Sequence, residues 1–262
     1  MARKKKKSGG GFLLVGILIG VFLALAAVAL WPEKEPKPEP VLQKNPYQAW
    51  DFVWKDGFLQ CDGAVTGIDV SRFQGDVDWN AVKAAGVEFV FVRLGSRNSQ
   101  DGTLTEDRKA KENLAGAKAA GLKIGAYFFS QAVSPEEAKE EAALAVEVLG
   151  NTKLDLPLAY DWEIYKADGR TKTVTQEILL SCIKTFCTAV ESAGYKSMVY
   201  FNLELSKTLL DPEQIAQYPF WFAQYADAPE LPYNMAFWQY SDSGTVPGIE
   251  GPVDLNLWFD PI

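Results

Sequence analysis

The feature that most restricts the fold is an alternation that begins at residue 65, where short apolar runs are each followed by a longer amphipathic segment. The runs have the length and continuous apolar character of strands that are covered on both faces. The intervening segments are rich in alanine and charge, as expected of helices that cover a sheet. Four runs precede such a segment and three more follow: VTGIDV (65–70), EFVFVRL (88–94), LKIGAYFF (122–129), LPLAYDWE (156–163), KSMVYFN (196–202), FWFAQY (220–225) and MAFWQY (235–240).

Helix boundaries can be read between these runs. Ser134 is a suitable N-cap, Pro135 fits the first helical position, and two glutamates follow in the first turn. Glycines are placed to end helices at Gly86, Gly121, Gly150 and Gly194. Alternating strands and helices imply a parallel sheet, and this number of units favours a closed (β/α) TIM-like barrel over an open sheet. No GxGxxG or GxxxxGK[ST] motif occurs, which removes support for nucleotide-binding folds.

The N-terminus carries the pattern of a membrane anchor. Residues 11–31 contain no charged side chain, and as a helix they would span ~31 Å, enough for the hydrocarbon core of a bilayer. A basic cluster within residues 1–10 precedes this run, so the positive-inside rule predicts a cytoplasmic N-terminus and an exported remainder. We therefore predict a single-pass protein of the cell membrane with an extracellular domain. A cleaved signal peptide is the alternative, although its apolar region is normally shorter.

Three further segments follow the predicted anchor. Residues 32–46 contain five prolines together with lysine and glutamate, which is typical of an extended spacer. Residues 47–64 form an aromatic-rich lead-in, where the KDG sequence at 55–57 predicts a hairpin turn. The barrel domain is predicted to occupy residues 65–262.

Composition excludes several kinds of chemistry. The chain has no histidine, which rules out Ser-His-Asp and Cys-His catalysis and any histidine-ligated zinc. Its three cysteines form no CxxC pair, so a cysteine zinc site is not expected. The net charge is −8, and because the first ten residues contribute +5, the remainder carries about −13, which argues against a nucleic-acid partner. We predict neither a metal nor a cofactor, and assign acid–base chemistry to carboxyl groups.

Four acidic residues fall where a barrel places its chemistry, at the ends of strands. Asp161 and Glu163 end the fourth run, and side chains two residues apart on a strand point to the same face. Asp69 lies near the end of the first run, and Asp254 belongs to the last strand-like segment, GPVDLNLW. Two neighbouring carboxyl groups do not both ionise easily, so one becomes an acid while the other stays charged. Cleavage of a glycosidic bond needs such a pair. A structural role, or a Mg²⁺ or Ca²⁺ site, is the alternative for any single Asp-x-Glu sequence.

Four motifs in order along the chain resemble the glycoside hydrolase family 25 lysozymes, which are N-acetylmuramidases of bacterial and phage origin. The motifs are TGIDVSRFQGDVDW (66–79), AYDWE (159–163), VYFN (199–202) and FWQYSDSGTVPGIEGPVDLN (237–256). The resemblance implies hydrolysis of the β-1,4 bond between N-acetylmuramic acid and N-acetylglucosamine in the glycan strands of peptidoglycan. It also implies that the barrel has the family 25 lysozyme form.

The resemblance implies a role for each matching residue. Glu163 would be the general acid, Asp161 its charged partner, and Asp69 would orient groups and influence their protonation. Asp254 would hold the muramic acid side of the substrate. The remaining matching residues would shape the sugar groove, although each is also compatible with a place in the core: Tyr127, Tyr160, Tyr200, Asn202, Trp238 and Gln239.

Two departures from the family pattern affect the groove. Phe73 stands where the family often has tryptophan, and the second strand ends in RLGSRN rather than the more usual sequence. The route of hydrolysis stays open at this point between inverting, retaining and substrate-assisted mechanisms. Two other functions also stay open: a catalytically silent saccharide-binding or scaffold protein on the same barrel, and a hydrolase of chitin-like chains.

Overall fold

The computed structural model describes residue 1 and residues 40–166 and 168–259. Residues from Pro40 onward form one compact unit. The predicted cytoplasmic tail, the predicted transmembrane helix at 11–31 and most of the predicted spacer lie outside the described residues. Within the described part, no helix combines the length and apolar character needed to cross a bilayer.

Eleven strands and five α-helices are found within these residues. In chain order the strands are β1 (Val53–Lys55), β2 (Phe58–Gln60), β3 (Val65–Val70), β4 (Phe89–Arg97), β5 (Leu104–Glu106), β6 (Lys123–Ser130), β7 (Leu158–Trp162), β8 (Ser197–Asn202), β9 (Phe220–Ala223), β10 (Phe237–Gly244) and β11 (Val253–Trp258). The helices are α1 (Trp79–Ala84), α2 (Ala110–Ala119), α3 (Pro135–Leu149), α4 (Gln176–Ser192) and α5 (Leu203–Thr208).

Eight of the strands close into a barrel in the order β3, β4, β6, β7, β8, β9, β10, β11 and back to β3. Seven run parallel, whereas β11 is antiparallel to both β10 and β3. The short β5 pairs with the end of β4 outside the closed ring. The fold is therefore a mixed α/β fold with an eight-stranded closed barrel.

The regular βα alternation predicted from the sequence holds for only part of the barrel. A helix follows each of the first five barrel strands in turn. The connections at 224–236 and 245–252, all described, contain no α-helix, and the last strand reverses direction. A tight reversal suffices where neighbouring strands are antiparallel, so β10 and β11 need no crossover helix.

Aromatic side chains fill the lower barrel interior. Phe91 stacks on Trp221 with ring centroids 4.5 Å apart, and Phe237 stacks on Trp258 at 5.6 Å. Phe89 packs edge-on against three of these rings. We call these five residues the aromatic floor. It fills the barrel interior near the amino ends of the parallel strands, at the opposite end from the mouth.

The predicted helix caps and the predicted hairpin are confirmed. The side chain of Ser134 accepts a hydrogen bond from the Glu137 amide at the start of α3. The β1–β2 turn places Asp56 and Gly57 at φ values of 53° and 85°, which is the left-handed conformation of a two-residue hairpin. This lead-in hairpin covers the outside of β10, where Tyr240 accepts a hydrogen bond from the Leu59 amide. All three cysteines are buried and unpaired.

Candidate active site

The four predicted acidic residues meet at one mouth of the barrel. Asp69 and Asp161 lie near the carboxyl ends of β3 and β7, and Glu163 is the first residue beyond β7. Asp254 comes from the beginning of β11 and pairs in register with Asp69. Because β11 runs antiparallel, its amino end lies where the other strands have their carboxyl ends. This reversal brings the fourth carboxyl group into the site.

Asp161 and Glu163 form a closely coupled pair. Their side chains are within hydrogen-bonding reach of each other, and burial together with the neighbouring Glu163 and Asp69 carboxyls holds the pKa of Asp161 well above its ordinary value. Burial also raises the pKa of Glu163, against the hydrogen bonds from Tyr200 and Asp161. No amide or hydroxyl group of the described residues donates to the buried Oδ1 of Asp161. The raised pKa values and the contact between the two carboxyls favour one bound proton on the pair rather than two charges.

Asp69 and Asp254 form a second pair of carboxyl groups. Oδ2 of Asp69 accepts hydrogen bonds from Gln239 Nε2 at 2.8 Å and Asn256 Nδ2 at 2.9 Å. Burial nevertheless raises the pKa of Asp69. Burial and the Asp69 charge raise the pKa of Asp254 to about 9. The amides stabilise the charge on Asp69, so Asp254 is the member that holds the proton at neutral pH.

Arg93 is a cation that faces two of these acids, Asp69 and Asp161, and it was not predicted from the sequence. It is buried in the middle of β4 and lowers the pKa of both Asp69 and Asp161. Its guanidinium pairs with Asp107 at 2.7 Å, which fixes its position. The signal was available, because Arg93 follows Phe89 and Phe91 at the two-residue spacing of inward-facing side chains.

Tyr200 and Gln239 link the two carboxyl pairs, as inward-facing residues of the site. The Tyr200 hydroxyl lies 3.1 Å from Gln239 Oε1 and within hydrogen-bonding reach of Glu163. Burial and the surrounding acids raise the pKa of Tyr200 well above its ordinary value, so it stays a neutral donor. Tyr127 also faces the barrel interior, where burial and Asp69 raise its pKa. Asn202 caps α5 through its side chain, which accepts from the Leu205 amide at 2.8 Å.

The structure does not support a groove role for Tyr160 and Trp238, because both are 0% exposed and face outward from the barrel. The Tyr160 hydroxyl hydrogen bonds Ser130 Oγ, and Trp238 Nε1 donates to the Gln224 carbonyl. Side chains alternate along a strand, so an inward Asp161 requires an outward Tyr160, and an inward Gln239 requires an outward Trp238. The same alternation confirms that Trp162 points away from Asp161, as predicted.

Exposed aromatic rings lie instead on the loops around the mouth. Phe73 follows β3, Tyr165 follows β7 and Tyr225 follows β9, with 71%, 60% and 56% of their surface exposed. The guanidinium groups of Arg72 and Arg93 lie 4.8 and 5.0 Å from the Phe73 ring centroid. Aromatic residues just beyond strand ends were the sequence signal for these positions. Their ring faces and edges are available to a ligand that crosses the mouth.

An open cleft of about 570 Å³ adjoins the acid pair. Half-buried Glu163 reaches its wall, whereas Asp161 lies deeper. The residues that line the cleft with Glu163 are Tyr200, Asn202, Leu203, Glu204, Lys207, Thr208, Ala223, Gln224 and Tyr225. In the described part of the chain, no group of three or more acidic or cysteine side chains is arranged to hold a metal ion.

A closed α/β barrel with an acid pair at the strand ends is an arrangement typical of glycoside hydrolases. The chain belongs to glycosyl hydrolases family 25, whose sequence model matches residues 68–249. It is 33% identical to the autolytic lysozyme of Clostridium acetobutylicum over 199 residues, which cover 75% of this chain and 56% of that protein. It is 27% identical to lysozyme M1 of Streptomyces globisporus over 201 residues, which cover 73% of this chain and 67% of that protein.

Solved structures agree with this assignment. The modular autolysin LytC from Streptococcus pneumoniae, in complex with a synthetic peptidoglycan ligand, matches with a TM-score of 0.67 and 25% identity, covering 79% of this chain and 52% of that one. The bacterial lysozyme from Streptomyces coelicolor matches with a TM-score of 0.63 and 27% identity, covering 73% of this chain and 90% of that one. The chain thus spans about half the length of the clostridial lysozyme and the pneumococcal autolysin.

Proposed function

We propose that this protein hydrolyses the β-1,4 bond between N-acetylmuramic acid and N-acetylglucosamine in peptidoglycan. The observation that carries the proposal is the Asp161–Glu163 pair, in which two carboxyls with raised pKa values are in contact beside an open cleft. Exposed rings around the mouth suit the flat apolar faces of sugars. Membership of family 25, with relatives named lysozyme and autolysin, supports the same bond specificity.

Glu163 is the proton donor in this proposal, because it is the member of the pair that reaches the cleft wall. In the free protein the deeper Asp161 competes strongly for the proton. An acetamido N–H of the bound sugar that donates to Asp161 would favour its charged form and shift the shared proton to Glu163. Substrate binding therefore prepares the acid. Glu163 then protonates the leaving oxygen as the bond from that oxygen to the sugar C1 breaks.

The contact between the two carboxyls also bears on the stereochemical route. An inverting pair is separated by ~6.5–9.5 Å to leave room for water, which a hydrogen-bonded pair does not. We favour a substrate-assisted route, in which the acetamido oxygen attacks C1 and the charge on its nitrogen is stabilised by Asp161. Glu163, now a carboxylate, takes a proton from the water that opens the cyclic intermediate.

The Asp69–Asp254 pair influences the protonation of the Asp161–Glu163 pair. The charged Asp69 raises the pKa of both members of the acid pair, while Arg93 opposes this on Asp161. Protonated Asp254 can donate a hydrogen bond to the muramic acid side of the substrate, as the family resemblance implies. Tyr200 and Gln239 hold the two pairs in one hydrogen-bonded network.

We further propose a location at the cell membrane, with the N-terminus in the cytoplasm and the barrel outside the cell. Support comes from the uncharged run at 11–31 and the basic cluster before it.

Mass analysis of fragments released from purified peptidoglycan tests the reaction. The wild-type protein should release fragments with muramic acid at the new reducing end, while Glu163→Gln should be slower by at least about 100-fold with its fold intact. Asp161→Asn should be similarly impaired and Asp69→Asn less so. Glucosamine at the reducing end would indicate another bond specificity. Equal, negligible release by wild type and Glu163→Gln would favour a silent saccharide-binding protein.

A further inference from the structure

The loop that follows β6 makes direct contact with the main chain of Glu163. Gln131, the first residue of this loop, is fully buried. Its Nε2 donates to the Glu163 carbonyl at 2.7 Å and to the Ser130 carbonyl at 2.9 Å. Two carbonyl oxygens face the same end of this amide, which identifies that end as the NH₂ group. Gln131 is therefore a link between two loops of the mouth.

The position of this link matters because the sheet ends there. The β6–β7 ladder stops at the pair Ser130 and Trp162, so no further ladder bond restrains the Glu163 carbonyl. The residues that follow, 164–166, are exposed and belong to no helix or strand. The Gln131 amide takes the place of the next ladder bond and restrains Glu163 at the point where the strand would otherwise release it.

Neighbouring contacts restrain the Gln131 loop itself. Trp162 Nε1 donates to the Ala132 carbonyl at 2.8 Å, which is a second bond between the same two segments. The Arg170 guanidinium lies 3.4 Å from the Gln131 carbonyl and pairs with Glu137 of α3 at 2.6 Å. Gln131 is thus held on both sides, so it can transmit a fixed position to Glu163.

A purely stabilising role in the fold does not explain why residue 131 is a glutamine. Oε1 of Gln131 is buried and accepts no hydrogen bond from the described residues. A buried acceptor without a donor lowers stability, and such groups in proteins often have a functional reason.

We propose that Gln131 is a positioning residue that sets the place of the Glu163 carboxyl against Asp161 and the cleft; this rests on the proposed function. A displacement of the acid by ~1 Å reduces catalysis by about 100-fold without abolishing binding. Loss of the link should also let Glu163 move toward solvent. Since burial is the main cause of its raised pKa, that pKa should fall.

The test is Gln131→Met in the full chain, which keeps the side-chain length and removes the amide. We expect kcat on purified peptidoglycan to fall by about 10–100-fold, with KM changed by less than about twofold. The basic limb of the pH–rate profile should move to lower pH, because a more exposed Glu163 loses its proton earlier. A purely structural role would leave this limb in place.

Asn113→Leu is the matched control, because Asn113 is another buried amide, on α2, whose Nδ2 has no partner among the described residues. It should keep the wild-type kcat and pH profile. If Gln131→Met does not fold, Gln131→Asn is the second variant, because it retains a buried amide but is one methylene too short to reach the Glu163 carbonyl. It should move the basic limb of the pH–rate profile in the same direction. A wild-type pH profile in the folded variant overturns the inference. A wild-type protein that releases no fragments overturns the proposed function instead.

Discussion

Burial raises the pKa of all four carboxyl groups at the mouth, Asp69, Asp161, Glu163 and Asp254. When the pKa of a carboxyl is higher in the folded state than in the unfolded state, there is a pH range between the two values. Within this range the folded protein holds the proton and the unfolded chain has lost it. The contribution of these four groups to stability must therefore fall as pH rises from about 4 through their folded pKa values. The same arrangement that would keep a proton available for the proposed hydrolysis lowers the contribution of these groups to stability at neutral pH.

Asp254→Asn tests this relation at a single residue. The variant removes a group whose pKa changes from its ordinary value of 3.8 to about 9 on folding. It should flatten the fall in Tm between pH 4 and 9 and raise Tm at pH 8 by roughly 4–8 °C, equivalent to about 2 kcal/mol. Thermal denaturation followed by circular dichroism across this pH range measures the effect. A Tm curve parallel to that of wild type would contradict it.

At the scale of the elements, strands β3 and β6 each carry a glycine that leaves room for a ring of the aromatic floor. An added Cβ at Gly67 of β3 would lie 2.3 Å from ring atoms of Phe89, and one at Gly125 of β6 would lie 2.3 Å from Phe91. The two strands can pass these rings only because they carry no side chain there. Glycine is thus required by the packing inside the barrel, not by a turn.

Gly67→Ala should destabilise the barrel by about 1–3 kcal/mol, because Phe89 is wedged among the other rings of the floor. Denaturant titration measures the loss. In the background of Phe89→Leu, which removes the ring, the same alanine should cost much less. Equal costs in the two backgrounds would show that the ring is not the obstacle.

Over the whole molecule, the predicted anchor and the acidic barrel divide the charge of the chain. The basic residues of the first ten positions precede the uncharged run, and the remainder carries about −13. Such a distribution favours retention of the N-terminus inside the cell and suits an uncharged glycan better than a polyanionic ligand. The anchor and the membrane location stay predictions from sequence.

Cell fractionation tests that prediction. The full chain should sediment with membranes and be released by detergent but not by high salt, because an apolar span is held by burial rather than by charge. A variant that lacks residues 1–31 is the control and should be soluble. Intact full-length chain in the soluble fraction would contradict the anchor, and a chain shortened by about 30 residues would indicate signal-peptide cleavage.

The alternation of side chains along a strand explains which site residues could be predicted from the sequence and which could not. Asp161 and Glu163 could be paired from sequence because a two-residue spacing on a strand has only one geometric meaning. Applied throughout, the same rule would have assigned Tyr160 and Trp238 to the outside and Arg93 to the inside. Asn256 was missed because its role depends on Trp221, which donates to its Oδ1 from another strand at 2.8 Å.

The sequence by itself determined the barrel strands, the helix caps and the acid pair, because these follow from periodicity and from neighbours close along the chain. Tertiary structure alone decided that β11 runs antiparallel and thereby places Asp254 against Asp69. It also decided that Gln131 reaches Glu163 across 32 positions. Such contacts depend on how distant segments meet when the barrel closes, and no local pattern encodes the position of one strand end relative to another.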